Sequence, residues 1–142
     1  MKHTYILSKK FKYSQESISL IRTMNSLNVL STAYVIIKYP TDFTTYLPHG
    51  MVCLSSVVFW RDPKDQVIKA LDYLCVINSL VNTWFWSYEK ECEMFTTTSI
   101  MMVTFLYCMS MHYKNIGNEK KCVLYHCLTY LVANIGIIGT FS

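Results

Sequence analysis

The stretch 68–88, IKALDYLCVINSLVNTWFWSY, runs for 21 residues without Pro or Gly, and its only charges are Lys69 and Asp72. As a helix it would be about 31 Å long, matched to a bilayer hydrocarbon core of about 30 Å. Its polar residues recur rather than scatter. Lys69, Asp72, Cys75, Ser79, Asn82 and Trp86 follow one another at intervals of three or four, which puts them on one helical face with Asn78 beside it. The rest of the surface is Leu, Val, Ile and Phe. In lipid, helices associate through small and polar side chains, so this pattern predicts a spanning helix that turns its stripe toward neighbours.

Four further apolar blocks flank it, at 18–38, 46–60, 94–111 and 122–141. The chain is 52% hydrophobic and 15% charged, against about 25% charged for an ordinary soluble domain. Together these features predict an all-α integral membrane bundle of about five transmembrane helices. The second block is short: fifteen residues give about 22 Å of helix. It reads either as a kinked helix extended N-terminally through Pro48 or as a re-entrant segment. The connections are brief, with Pro40 and Asp42 in the first, Arg61-Asp62-Pro63-Lys64-Asp65 in the second, Glu-Lys-Glu-Cys-Glu at 89–93 in the third, and Asn115, Gly117 and Asn118 in the last. Loops this short make successive helices antiparallel. No linker or repeat divides the chain, so 1–142 reads as one transmembrane helical domain, with 1–17 as its basic cytoplasmic tail.

The tail carries Lys2, Lys9, Lys10 and Lys12 around a short apolar patch. That is too broken for a cleavable signal peptide, so the first block is expected to act as an uncleaved signal-anchor. With five spans and the N-terminus inside, the inner side holds Lys2, Lys9, Lys10, Lys12, Arg22, Arg61, Lys64, Lys69, Lys114, Lys120 and Lys121. The outer side holds Lys38 and Lys90. This split of eleven against two of the 13 Lys and Arg predicts a cytoplasmic N-terminus and a C-terminus on the opposite side. It also argues that the short second block crosses, since otherwise Arg61 and Lys64 would move outside. Tyr34, Tyr39, Tyr46, Trp60, Trp84, Trp86 and Tyr88 gather near block ends, as interfacial belts do.

The net charge of +4 does not imply nucleic acid, because the basic residues sit at block ends rather than in a patch. The partners expected are the lipid bilayer, other membrane proteins or a second copy of the chain. Cys53, Cys75, Cys92, Cys108, Cys122 and Cys127 form no Cys-x-x-Cys pair, so they read as small hydrophobes and not as a disulfide framework. There is no phosphate-binding Gly-rich loop and no Gly-x-Ser-x-Gly elbow. Four glycines also speak against a selectivity filter or a broken-helix transporter, which need irregular backbone at mid-membrane.

The other blocks carry stripes of their own. Arg22, Asn25, Asn28 and Thr32 mark the first, and His49, Cys53, Ser56 and Trp60 the second. Thr97, Thr104 and Cys108 mark the fourth, and His126, Tyr130 and Asn134 the fifth. By depth, Asp72, Ser55, Ser56, His126, Cys108 and His112 are expected to converge near the inner end, with Asp72 paired to Lys69 or His126. Asp72, His126 and Ser56 are the catalytic candidates. Asp72, His112 and His126 are the residue types of a hydrolytic zinc site, although no His-x-x-x-His or Glu-x-x-His pair places two ligands on one face. His49 reads as a solvated histidine near a helix start, too far along the axis to join them.

Between His49 and Asp72 the order is His49-Gly50, Ser55-Ser56, Phe59-Trp60, Pro63 and Asp72. This stretch resembles uncharacterised small multi-pass membrane proteins of large DNA viruses and protists. It is also similar to membrane hydrolases of the alkaline ceramidase type, which combine Ser, His and Asp on early helices with paired His on the last. The latter resemblance implies a lipid hydrolase or lipid-binding protein with an inner-leaflet polar or zinc site. The chain departs from that pattern in spacing His49 and Ser56 two turns apart, and in having Tyr130 where a second His would follow His126. The reading of the residues themselves favours a non-enzymatic structural or interaction component of a membrane, with the ceramidase-like protein as its alternative.

Overall fold

The computed structural model describes residues 12–61 and 66–142. Lys2, Lys9 and Lys10 of the tail, and Asp62, Pro63, Lys64 and Asp65 of the second turn, lie outside the described residues. Those described form six helices and no strand: α1 (Gln15–Asn25), α2 (Leu27–Lys38), α3 (Phe43–Arg61), α4 (Gln66–Glu89), α5 (Glu93–Asn115) and α6 (Glu119–Thr140).

The block expected as one helix at 18–38 is two, meeting at Ser26. The Ser26 hydroxyl donates to the Thr23 carbonyl at 2.5 Å, and its N–H is shared between Arg22 O (3.2 Å) and Thr23 O (3.1 Å). A side chain competing for backbone carbonyls tightens the turn, and the Val29 N–H closes onto Ser26 O at 3.0 Å. Ser26 itself keeps right-handed helical angles. The interruption is therefore a jog, and α1 and α2 continue one another.

The short second block extends through Pro48, as one of its two readings required. Asp42 starts α3 by accepting from the Thr45 N–H (3.2 Å) and the hydroxyls of Thr44 (2.6 Å) and Thr45. These hydrogen bonds, led by Thr44, hold the Asp42 carboxyl below the usual carboxylate range. Pro48 has no N–H for the carbonyl four residues back, which is Thr44 O. The freed acceptor is taken from the next helix, where Asn82 Nδ2 donates to it at 3.3 Å. At the other end of α3, Arg22 donates twice to Trp60 O, at 3.0 and 2.7 Å. A cation thus satisfies a terminal carbonyl where the helix dipole is negative.

Two helices end in left-handed caps. After α5, Gly117 has φ 75°, with Gly117 N–H on Lys114 O (3.1 Å) and Asn118 N–H on Tyr113 O (2.9 Å). After α4 the same pair of bonds forms around Glu91 at φ 55°, with Glu91 N–H on Tyr88 O and Cys92 N–H on Ser87 O.

The most extensive pairing is α5 with α6, followed by α3 with α4, and α1–α2 fills the notch between α3 and α6. The α5–α6 seam is built of small residues. Thr96 and Thr140 hydroxyls meet at 2.7 Å, the Ser110 hydroxyl donates to Cys122 O at 3.0 Å, and a Cβ at Gly136 would stand 2.9 Å from Ser99 Cβ. Inward faces follow the stripes for α1–α2, α3, α4 and α6, where Asn25, Asn28, Thr32, His49, Ser56, Trp60, Asp72, Ser79 and Asn134 are buried, whereas Arg22 of the first stripe and Asn78 beside the α4 stripe are exposed. The α5 expectation is corrected. Thr97, Thr104 and Cys108 are exposed, whereas Thr96, Val103, Leu106 and Ser110 face inward. Thr104 bonds its own helix at Ile100 O (2.8 Å), so its hydroxyl needs no interior partner.

Candidate functional site

The polar interior is organised around Asp72. Its carboxylate lies on α4 at 7% exposure, and Oδ1 accepts from Ser55 Oγ at 2.8 Å and Ser56 Oγ at 2.7 Å, both on α3. Trp60, one turn after Ser56, donates its indole N–H to the Tyr130 hydroxyl at 2.9 Å. That hydroxyl lies near the Ser56 side chain. The result is a row of neighbouring polar pairs, Trp60 with Tyr130 and the two serines with Asp72.

Two of the three catalytic candidates, Ser56 and Asp72, are therefore in contact. His126 is a neighbour of this row and not a member. Its ring stands edgewise to Trp60 (5.2 Å between centroids) and to Tyr130 (5.3 Å), while Nδ1 bonds Ser110 Oγ at 3.5 Å. His112 is exposed, against Tyr113. Asp72 pairs with neither of its expected partners, because the two serines supply its bonds and Lys69 places its ammonium over the Tyr73 ring at 5.5 Å. Among the described residues there is no group of three His, Cys, Asp or Glu that could hold a metal ion.

Two further polar groups occupy the bundle. Asn134 Nδ2 donates to Asn28 Oδ1 (2.8 Å) and to Tyr130 O (2.7 Å), its Oδ1 accepts from Ser31, and Asn28 Nδ2 donates to Asn25 Oδ1 at 2.7 Å. This ladder ties α1 and α2 to α6. Toward the opposite end, His49 is 2% exposed and not the solvated residue expected; its Nδ1 bonds Ser79 Oγ at 2.8 Å. As expected from its position, His49 does not reach Asp72. It lies under Phe141, at 5.3 Å between centroids, and Phe141 stacks on Trp86.

Sequence reasoning placed Ser55 at this depth without a role, and it missed the hydroxyl pair formed by Tyr107 and Tyr73. Their signal was present as an i+1 neighbour of Asp72 and a tyrosine in the middle of an apolar block, but tyrosine reads equally well as belt or core. No protein-family model, curated protein or solved structure matches this chain.

Proposed function

We propose that the chain is a multi-pass integral membrane protein with five crossings, α1–α2 together and then α3 to α6 singly. The N-terminus is cytoplasmic and the C-terminus opposite, and the protein serves as a non-enzymatic structural or interaction component of its membrane.

One observation carries this reading: the burial pattern is inverted. Among the described residues 8 hydrophobic side chains are buried against 15 polar or charged ones, while 30 large hydrophobics are exposed. A water-soluble domain hides its apolar residues and rarely exposes a contiguous apolar patch beyond a few hundred Å². A bilayer removes that demand and leaves polar contacts as the adhesive. Among the described residues two helices, α5 and α6, are long and apolar enough to cross a membrane. Only 22% and 28% of their apolar windows are buried, unlike the core helix of a soluble protein. The remaining crossings rest on length and on the distribution of charge: α3 at 19 residues gives about 28 Å, and α1–α2 gives more.

The ceramidase-like alternative is supported by the Ser56–Asp72 contact at 2.7 Å. A hydrolase would in addition need a base on Ser56, and His126 is turned to Ser110.

Glycosylation acceptors inserted one at a time, with flexible flanks, test the topology. Acceptors in the turns at 39–42 and 90–92 and after 142 should be modified in microsomes, and those at 62–65 and 116–118 should not. Modification at 116–118, or extraction of the whole chain by alkaline carbonate, would overturn the reading.

A further inference from the structure

Asp72 is bonded asymmetrically. Oδ1 takes both serine hydroxyls, and among the described residues Oδ2 takes no hydrogen bond. Among the described residues no basic side chain is bonded to it. Lys69, on the preceding turn of α4, sits over Tyr73, Arg22 is committed to Trp60 O, and His126 to Ser110. Ser55 and Ser56 from α3 bond the carboxyl, Tyr107 from α5 and Tyr130 from α6 lie within electrostatic reach of it, and Lys69 and Tyr73 neighbour it on its own helix. A bare carboxylate in a poorly solvated interior is costly, and two neutral hydroxyls on one oxygen offset only part of that cost. A small-cation cage would need several convergent oxygens around Oδ2, whereas the groups at hand converge on Oδ1. A proton needs only Oδ2.

We propose that Asp72 is a proton-binding site of the bundle interior, taking up and releasing one proton at Oδ2 while Ser55 and Ser56 hold Oδ1. The two serines keep the carboxyl in one orientation with and without the proton.

The full chain in lipid nanodiscs, treated with the apolar reagent dicyclohexylcarbodiimide, tests this. The reagent adds to a protonated carboxyl, which delivers its proton to a carbodiimide nitrogen as its oxygen attacks the central carbon. The Asp72 peptide should gain the full reagent mass, less so as pH rises from 6 to 9, and Asp72→Asn should gain none there. Ser55→Ala combined with Ser56→Ala should raise labelling at pH 8 roughly tenfold, because two hydrogen bonds to the charged form are lost. An unlabelled Asp72 at pH 6, labelling indifferent to pH, or a serine double variant that labels like the native chain would overturn the proposal. Protection by NaCl over choline chloride at constant pH would also overturn it, in favour of an alkali cation.

Discussion

Replacing Asn134 by Leu should loosen the bundle by about 2–4 kcal/mol. Asn134 makes two interhelical bonds, one to Asn28 on α2 at 2.8 Å and one from Ser31. In membrane bundles such bonds average about 0.6 kcal/mol with an upper value near 1.7, so the pair is worth roughly 1–3 kcal/mol. The substitution also leaves Asn28 Oδ1 and the Ser31 hydroxyl buried, and an unsatisfied group costs about 1–3 kcal/mol where it cannot find another partner. Ser31 has one, since its hydroxyl also lies 3.2 Å from Asn28 O, which holds the total to the lower half of the sum. The measurement is unfolding by SDS titration in mixed micelles, followed through the tryptophans. A cycle with Asn28→Leu should then be non-additive by about 1 kcal/mol, because the second change removes a group the first has already orphaned. A single-variant loss below about 0.5 kcal/mol, or an additive cycle, would refute the view that this ladder holds α1–α2 to α6.

Three other outcomes follow from local geometry. Asn82→Leu should cost about 1 kcal/mol by orphaning Thr44 O, and much less when Pro48→Ala restores the helix's own donor, both read by the same titration. Glu91→Gly should stabilise the protein by about 0.5–1 kcal/mol, since φ 55° at that position suits glycine and strains any other residue; a destabilised variant would refute the cap after α4. Asp42 is held as an anion by Thr44 and Thr45, so its stabilisation is complete above the unfolded carboxyl value near 3.9 and is lost as pH falls through that value toward the lower folded one. Between pH 5 and 3 the native chain should therefore lose more stability than Asp42→Asn, which caps α3 without titrating.

Much of the bundle is legible in the sequence because polar residues in an apolar background are few and periodic. The α4 stripe names Asp72 and Ser79, and the α3 stripe names Ser56 and Trp60, since neither carboxyl nor indole nor paired serines rest easily on a lipid face. Threonine is a poorer guide. Thr98 and Thr104 satisfy their hydroxyls on Met94 O and Ile100 O, both at 2.8 Å, so they can face outward, and the α5 stripe of Thr97, Thr104 and Cys108 lies beside the face that carries Thr96 and Ser110. The jog at Ser26 has no sequence signal, because serine breaks a helix only when its hydroxyl finds a backbone carbonyl. The hand-over of Thr44 O from α3's own ladder to Asn82 is invisible for a different reason: it joins residues 38 positions apart. Depth arguments put Ser56, Asp72 and His126 at one level, but a rotation about the α6 axis decides that His126 meets Ser110 and Tyr130 meets Trp60.

The inverted burial is the claim on which the rest depends, and paramagnetic NMR of the native chain in nanodiscs tests it directly. Methyl groups of Leu54, Leu74 and Met101, exposed at 71%, 62% and 69%, should be broadened by lipid carrying a doxyl label in its acyl chain and untouched by a soluble gadolinium chelate. The methyls of buried Thr96 and Val103 should respond weakly to both. Broadening of the outward methyls by the chelate, with no effect of the doxyl lipid, would show that these faces meet water and would contradict the account.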